Sequence, residues 1–187
     1  MKLSTRLSIL AVGAGTAITM TLATSLPAMA LNATATLTGA GSPAILSSTT
    51  PSWSQTLDGL DHNGITATAT VDVNDATGTG AGWNLTLSGA VLTSSGHTLG
   101  QPSTAAAASF SACDASSSCT LPTSNSGVGL VSYPFTVGTS AAKFYSATAG
   151  TGLGRSTGTN TWAINVPANS YAGTYNGAWV SSIVSAP

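Results

Sequence analysis

Much of the chain alternates apolar and polar residues in short runs, the pattern that favours β-strands. Glycine or proline interrupts every stretch that could keep the three- and four-residue spacing of a helix. Eight runs carry the strand pattern, and they begin at Asn32, near Leu57, and at Gly64, Trp83, Val131, Ala142, Asn160 and Thr174. This spacing predicts an all-β fold, specifically a two-sheet β-sandwich of the Ig-like or Greek-key type.

The same alternation places two tryptophans on apolar strand faces. In the run WNLTL, Trp83 shares a face with Leu85 and Leu87, and Trp162 holds a comparable position in NTWAINV. We therefore expect both indoles in the core, where a tryptophan buries about 200 Å². Nearer the C-terminus, four residues of one parity fit either core packing or a platform that stacks on sugar rings: Tyr171, Tyr175, Trp179 and Ile183.

The first thirty residues have the organisation of a secretory signal peptide. Lys2 and Arg6 precede a long uncharged apolar run, and the segment closes with Ala28 and Ala30 in a small-x-small arrangement. Cleavage after Ala30 leaves one domain, residues 31–187, without a transmembrane anchor; an uncleaved N-terminal anchor is the alternative. We expect the protein to be secreted.

Charge is scarce beyond the signal peptide. Lys143 and Arg155 are the only basic residues there, beside five aspartates and no glutamate. Binding to nucleic acid, or to a membrane through a polybasic patch, requires several cations and is therefore excluded. Hydroxyls, amides and aromatic rings remain, which suits contacts with neutral polymers such as glycans.

Residues 100–127 form a low-complexity stretch that predicts one long surface loop. Cys113 and Cys119 lie within it, and in an exported protein such close cysteines are expected to form a disulfide that staples the loop. Zinc would need two further ligands, which the neighbouring sequence lacks.

No catalytic constellation emerges, so we expect neither an enzyme nor a cofactor. Residues 154–158 match G-x-S-x-G, but a turn and another strand follow where that motif needs a helix. Asp58 and Asp61 suit a turn in which aspartates cap the backbone. Asp72 and Asp75 lie at a strand end, where calcium is the alternative to turn capping.

Three blocks, in order, resemble the WxL domain of Gram-positive cell-surface proteins. The first is Asp75 followed by TGTGAGWNLTLSGA, the second is KFYSATAGTGLG, and the third is INVPANSYAGTYNGAWVSSIVSAP. The match spans residues 31–187, although the second motif lacks its leucine after Trp179 and Thr77 replaces an arginine common in the family. The resemblance implies an all-β domain attached non-covalently to peptidoglycan, with these binding candidates: Asp75, Trp83, Leu85, Tyr175 and Trp179.

Two functions remain open. The first is a surface module that binds cell-wall peptidoglycan or an associated glycan. The second is a structural or adhesive subunit that pairs through an edge strand with itself or with another surface protein, since few charges guard its strand edges.

Overall fold

The computed structural model describes residues 34–115, 117–124 and 131–185, and it confirms the predicted all-β class. Within those ranges there is no helix, and thus none that could span a membrane. The expected signal peptide lies outside the described residues. The strands are β1 (Ala44–Ser48), β2 (His62–Asp75), β3 (Trp83–Gly89), β4 (Thr93–Ser94), β5 (His97–Thr98), β6 (Ser103–Thr104), β7 (Ser109–Cys113), β8 (Phe135–Thr136), β9 (Ala142–Ser146), β10 (Gly154–Val166) and β11 (Trp179–Ser185).

The largest sheet is built on the long antiparallel pair β2 and β10. Both strands contain three threonines, an isoleucine and valine, and they pair from Gly154 opposite Asp75 to Val166 opposite His62. Strand order in this sheet is β1-β2-β10-β6-β8, and β7 also pairs with β10. β1 therefore extends the sheet on the β2 side, and β6, β7 and β8, which follow β5 in the chain, extend it on the β10 side.

A second antiparallel sheet has the order β11-β3-β9, with β3 in the centre. Its register places Trp179 opposite Gly89 and Ser185 opposite Trp83. A third, two-stranded sheet is the hairpin of β4 and β5, whose turn residues Ser95 and Gly96 both have positive φ (48° and 84°). This conformation matches the right-handed strand twist, and glycine adopts it without steric strain.

Side chains from the two larger sheets share one buried cluster. Its members include Val73 and Trp162 from the large sheet and Trp83, Leu85 and Tyr145 from the small one, each at most 2% exposed. The predicted burial of Trp83 and Trp162 is therefore confirmed. Strand parity found these positions because alternate side chains of a strand point to opposite faces.

Two strand predictions were wrong and two were too long, since the run from Val131 is a strand only at Phe135–Thr136 and the run from Thr174 only from Trp179. Residues 34–38 of the run beginning at Asn32 are not a strand, and neither is the run near Leu57. That second run leads into a turn in which the Leu60 amide donates to Asp58 Oδ1 (3.0 Å) and the Ala168 amide donates to Asp61 Oδ1 (2.7 Å). The turn capping predicted there is confirmed for Asp58, and it competes with strand pairing for backbone donors, whereas Asp61 accepts from a distant segment.

The segment 100–127 is not one long loop. Its described residues include β6 and β7, because the long strand β10 presents a free edge with which they pair. The Cys113–Cys119 disulfide is confirmed, and it closes a short loop directly after β7. Propensity alone missed this pairing because low-complexity serine and alanine carry little strand signal.

Candidate functional site

Trp83 lies at the centre of an aromatic group inside the protein. It is fully buried, and its Nε1 donates to the Gly152 carbonyl at 3.0 Å. Its ring stacks on Tyr145 with centroids 5.4 Å apart and meets the edge of Phe110 at 5.8 Å. An indole with its N–H satisfied and both faces covered anchors the fold and has no surface to offer a ligand.

The glycine-rich turn after β9 is shaped around this indole. Gly152 has φ +78°, and a Cβ built there would lie 2.5 Å from Trp83 Nε1. The Ala147 amide donates to the Trp83 carbonyl at 2.8 Å, so the same turn holds backbone and ring. The first and second blocks of the sequence motif are thus in direct contact.

Two further candidates, Asp75 and Leu85, are also buried, at 2% and 0% exposure. Asp75 Oδ1 accepts hydrogen bonds from the Thr77 amide (3.0 Å) and the Thr77 hydroxyl (2.6 Å). These bonds close the turn after β2 in the way short polar side chains commonly do. Both residues support the scaffold around Trp83 and do not reach the surface.

Trp179, by contrast, lies half-buried at the start of the edge strand β11. Its ring meets Trp162 edge-on at 5.1 Å and Trp53 at 6.4 Å. Trp53 is held in turn because its Nε1 donates to the Trp162 carbonyl at 3.2 Å. Trp53 was not predicted, because it lies outside any strand and its only signal is its size in a chain poor in aromatics.

A small cleft opens beside Trp179, between β11 and the end of β1. It has a volume of about 60 Å³. Apolar lining comes from Trp162, Trp179 and neighbouring core residues, and polar lining comes from hydroxyls and one amide: Ser48, Thr49, Thr50, Thr70, Asn160 and Ser181. Pockets that enclose a small-molecule ligand usually measure about 300–1,000 Å³. The cleft can therefore offer a contact surface but cannot enclose a sugar ring.

The structure does not bring the two tryptophan motifs together. Trp83 and Trp179 are at opposite ends of the β3–β11 pair, six residues apart along the ladder, which corresponds to about 20 Å. One binding surface cannot be formed by both indoles. If the two tryptophans affect the same function, the effect of one on the other passes through the β3–β11 pair that connects them.

The four residues of one parity near the C-terminus lie in different surroundings: Tyr171, Tyr175, Trp179 and Ile183. Tyr175 packs half-buried against a separate small cluster of Leu92, Ile164 and Val166, and its hydroxyl donates to the Tyr171 carbonyl at 3.0 Å. Tyr171 is 62% exposed and stacks flat on His97, with ring centroids 3.6 Å apart. Tyr171 and Tyr175 are therefore not part of the cleft at Trp179.

Arg155 forms ion pairs with two aspartates, Asp72 and Asp114. Arg155 contacts both oxygens of Asp72 (3.2 and 2.6 Å), and its Nε lies 2.6 Å from Asp114 Oδ2. The hydrogen bond to Asp72 raises the pKa of Arg155. These ion pairs tie the start of β10 to the disulfide loop, and the bidentate contact engages the Asp72 oxygens that calcium would need.

This chain matches no protein-family model, and comparisons with curated proteins and with solved structures find no match.

Proposed function

We propose that the protein is a secreted, non-catalytic module of the WxL type that attaches non-covalently to cell-wall peptidoglycan or an associated glycan. The support is the way the three sequence blocks assemble. The first block supplies β3, the second supplies β9 and the glycine turn under Trp83, and the third supplies β11. All three therefore build one sheet, which packs with the larger sheet in what we propose is a two-sheet sandwich.

The proposed contact surface is the cleft beside Trp179, and one observation carries it. A half-buried indole there lies next to five hydroxyls and an amide, while the other motif indole, Trp83, is fully buried. Aromatic rings stack on the apolar faces of sugars, and hydroxyl and amide groups bond their oxygens without needing charge. Trp53 extends the surface, since its ring lies 6.4 Å from Trp179.

Sedimentation with purified peptidoglycan sacculi tests the proposal directly. Residues 31–187 should pellet with sacculi, and Trp179→Ala and Trp53→Ala should each reduce the bound fraction while circular dichroism shows a folded chain. Tyr171→Ala is the matched control, because it removes an exposed aromatic that does not line the cleft. Full recovery of the unaltered protein in the supernatant would refute wall attachment, and an equal loss with the control variant would refute the cleft.

A second candidate is a structural or adhesive subunit that associates through an edge strand, and the exposure of β11 favours it. Val180 and Val184 on this edge strand are 61% and 54% exposed. Apolar side chains on an unpaired edge are a template for another strand. Gel filtration over a range of concentrations tests the form that pairs with itself, because its oligomeric fraction rises with concentration, whereas a module that only binds the wall remains monomeric.

A further inference from the structure

The edges of the two larger sheets differ in how they discourage the addition of a strand. β1 carries an extra residue, Leu46, that shifts its register with β2. β9 carries both Lys143 and a register shift at Phe144, and β8 is only two residues long. Bulges, lysines and short strands are the usual devices that keep a sheet edge from pairing.

β11 has none of these devices. Its seven residues, WVSSIVS, contain no charge, proline or glycine, and they pair with β3 in unbroken register from Trp179 to Ser185. The solvent face carries Val180, Ser182 and Val184, all exposed. An uncharged edge strand without a bulge and with two exposed valines is suited to pairing with another strand.

The solvent face of β11 is also self-complementary. Its outward residues read Val-Ser-Val and are symmetric about Ser182. A second copy placed antiparallel, with the two-fold axis at Ser182, sets Val180 opposite the partner's Val184 and the reverse. Cross-strand pairs of β-branched residues stabilise such a pairing, and two-fold symmetry satisfies both valines at once.

We propose that two copies of this chain associate through antiparallel pairing of their β11 strands, in the register centred on Ser182. The small sheets of the two copies then join into one sheet with the order β9-β3-β11-β11-β3-β9. This inference rests on the second candidate function and gives it a partner, a surface and a register.

A cysteine at the symmetry axis tests the register. In a Ser182→Cys variant of residues 31–187, the two new thiols face each other across the axis, where paired Cβ atoms lie about 4.5–5.5 Å apart. Since Cys113 and Cys119 already form a disulfide, the new thiol has only its copy as a partner. Mild oxidation should give a covalent dimer that a reductant separates. Ser140→Cys, exposed in a bend outside every strand, is the control and should give little dimer.

Introducing a charge on one side of the axis, and then an opposite charge facing it, provides the second test. Val180→Lys should raise the concentration for half-dimerisation by about tenfold or more, and Val180→Lys with Val184→Asp should restore it, because each lysine then faces the partner's aspartate. Leu60→Lys, at an apolar position 66% exposed in a turn, should leave dimerisation unchanged. A monomer at every concentration would overturn this inference and, with it, the form of the second candidate in which the subunit pairs with itself. Association without cross-linking or rescue would overturn the register alone.

Discussion

Replacement of Trp83 by phenylalanine should destabilise the fold without changing its surface. The substitution removes the N–H that donates to the Gly152 carbonyl and leaves that acceptor unpaired, which costs about 1–3 kcal/mol in the interior. It also gives up roughly 40 Å² of apolar burial, about 1 kcal/mol at 25 cal/mol per Å². We therefore expect the free energy of unfolding to fall by about 2–4 kcal/mol.

Urea unfolding followed by circular dichroism measures this change, with the disulfide kept intact. Trp162→Phe is the matched control, since Trp162 is buried like Trp83 (2% and 0% exposed) but its indole donates to none of the described residues. The control should lose only the smaller, burial part of the free energy. Equal losses in the two variants would refute a special role for the bond to Gly152. A Trp83→Phe protein that keeps the full free energy of unfolding but no longer pellets with sacculi would refute its assignment as a buried anchor.

Three further changes have predictable outcomes. Gly152→Ala should cost well over the roughly 1 kcal/mol expected for Gly150→Ala, because both glycines have positive φ but only the first has an atom within 3 Å of the new Cβ; urea midpoints of both variants check this. Reduction of the Cys113–Cys119 disulfide should lower stability by about 2 kcal/mol, since it closes so short a loop, and thermal unfolding with and without reductant measures it. Burial raises the pKa of Tyr133 to about 12 and also raises that of Tyr145, so the folded state keeps protons that the unfolded chain releases above pH 10. Stability should therefore be unaffected below pH 10 and fall as the pH rises toward 12, by up to about 1.4 kcal/mol per pH unit for each tyrosine, and removal of either hydroxyl by substitution with phenylalanine should reduce that slope.

The sequence predicted the centre of the fold better than its periphery. Trp83 and Trp162 were placed correctly in the core because strand parity depends only on local backbone geometry. The strand β7 was missed, since its pairing depends on the free edge of β10, more than forty residues later in the chain. Local alternation describes which face a residue occupies but not whether a partner strand is available.

The candidate site was likewise predicted in part and missed in part. Parity favoured burial for Trp83 and left Trp179 open between core and platform, and Trp179 is in fact half-buried at a cleft. Trp53 could not be predicted as its neighbour, because its position depends on the bond to the Trp162 carbonyl across 109 residues of sequence. A contact of that span leaves no periodic signal in a single sequence.

The separation of the two tryptophan motifs constrains any function that depends on both. Because Trp83 and Trp179 lie at opposite ends of the β3–β11 pair, they cannot contact one ligand ring. A variant at Trp83 can nevertheless affect the cleft, since loss of its anchor to Gly152 loosens β3, on which β11 depends for its only backbone pairing among the described strands. Trp83 variants that weaken wall binding should therefore also be destabilised in proportion, whereas Trp179 variants should weaken binding beyond any loss of stability. Plotting the bound fraction against the free energy of unfolding for both series distinguishes a structural tryptophan from a contacting one.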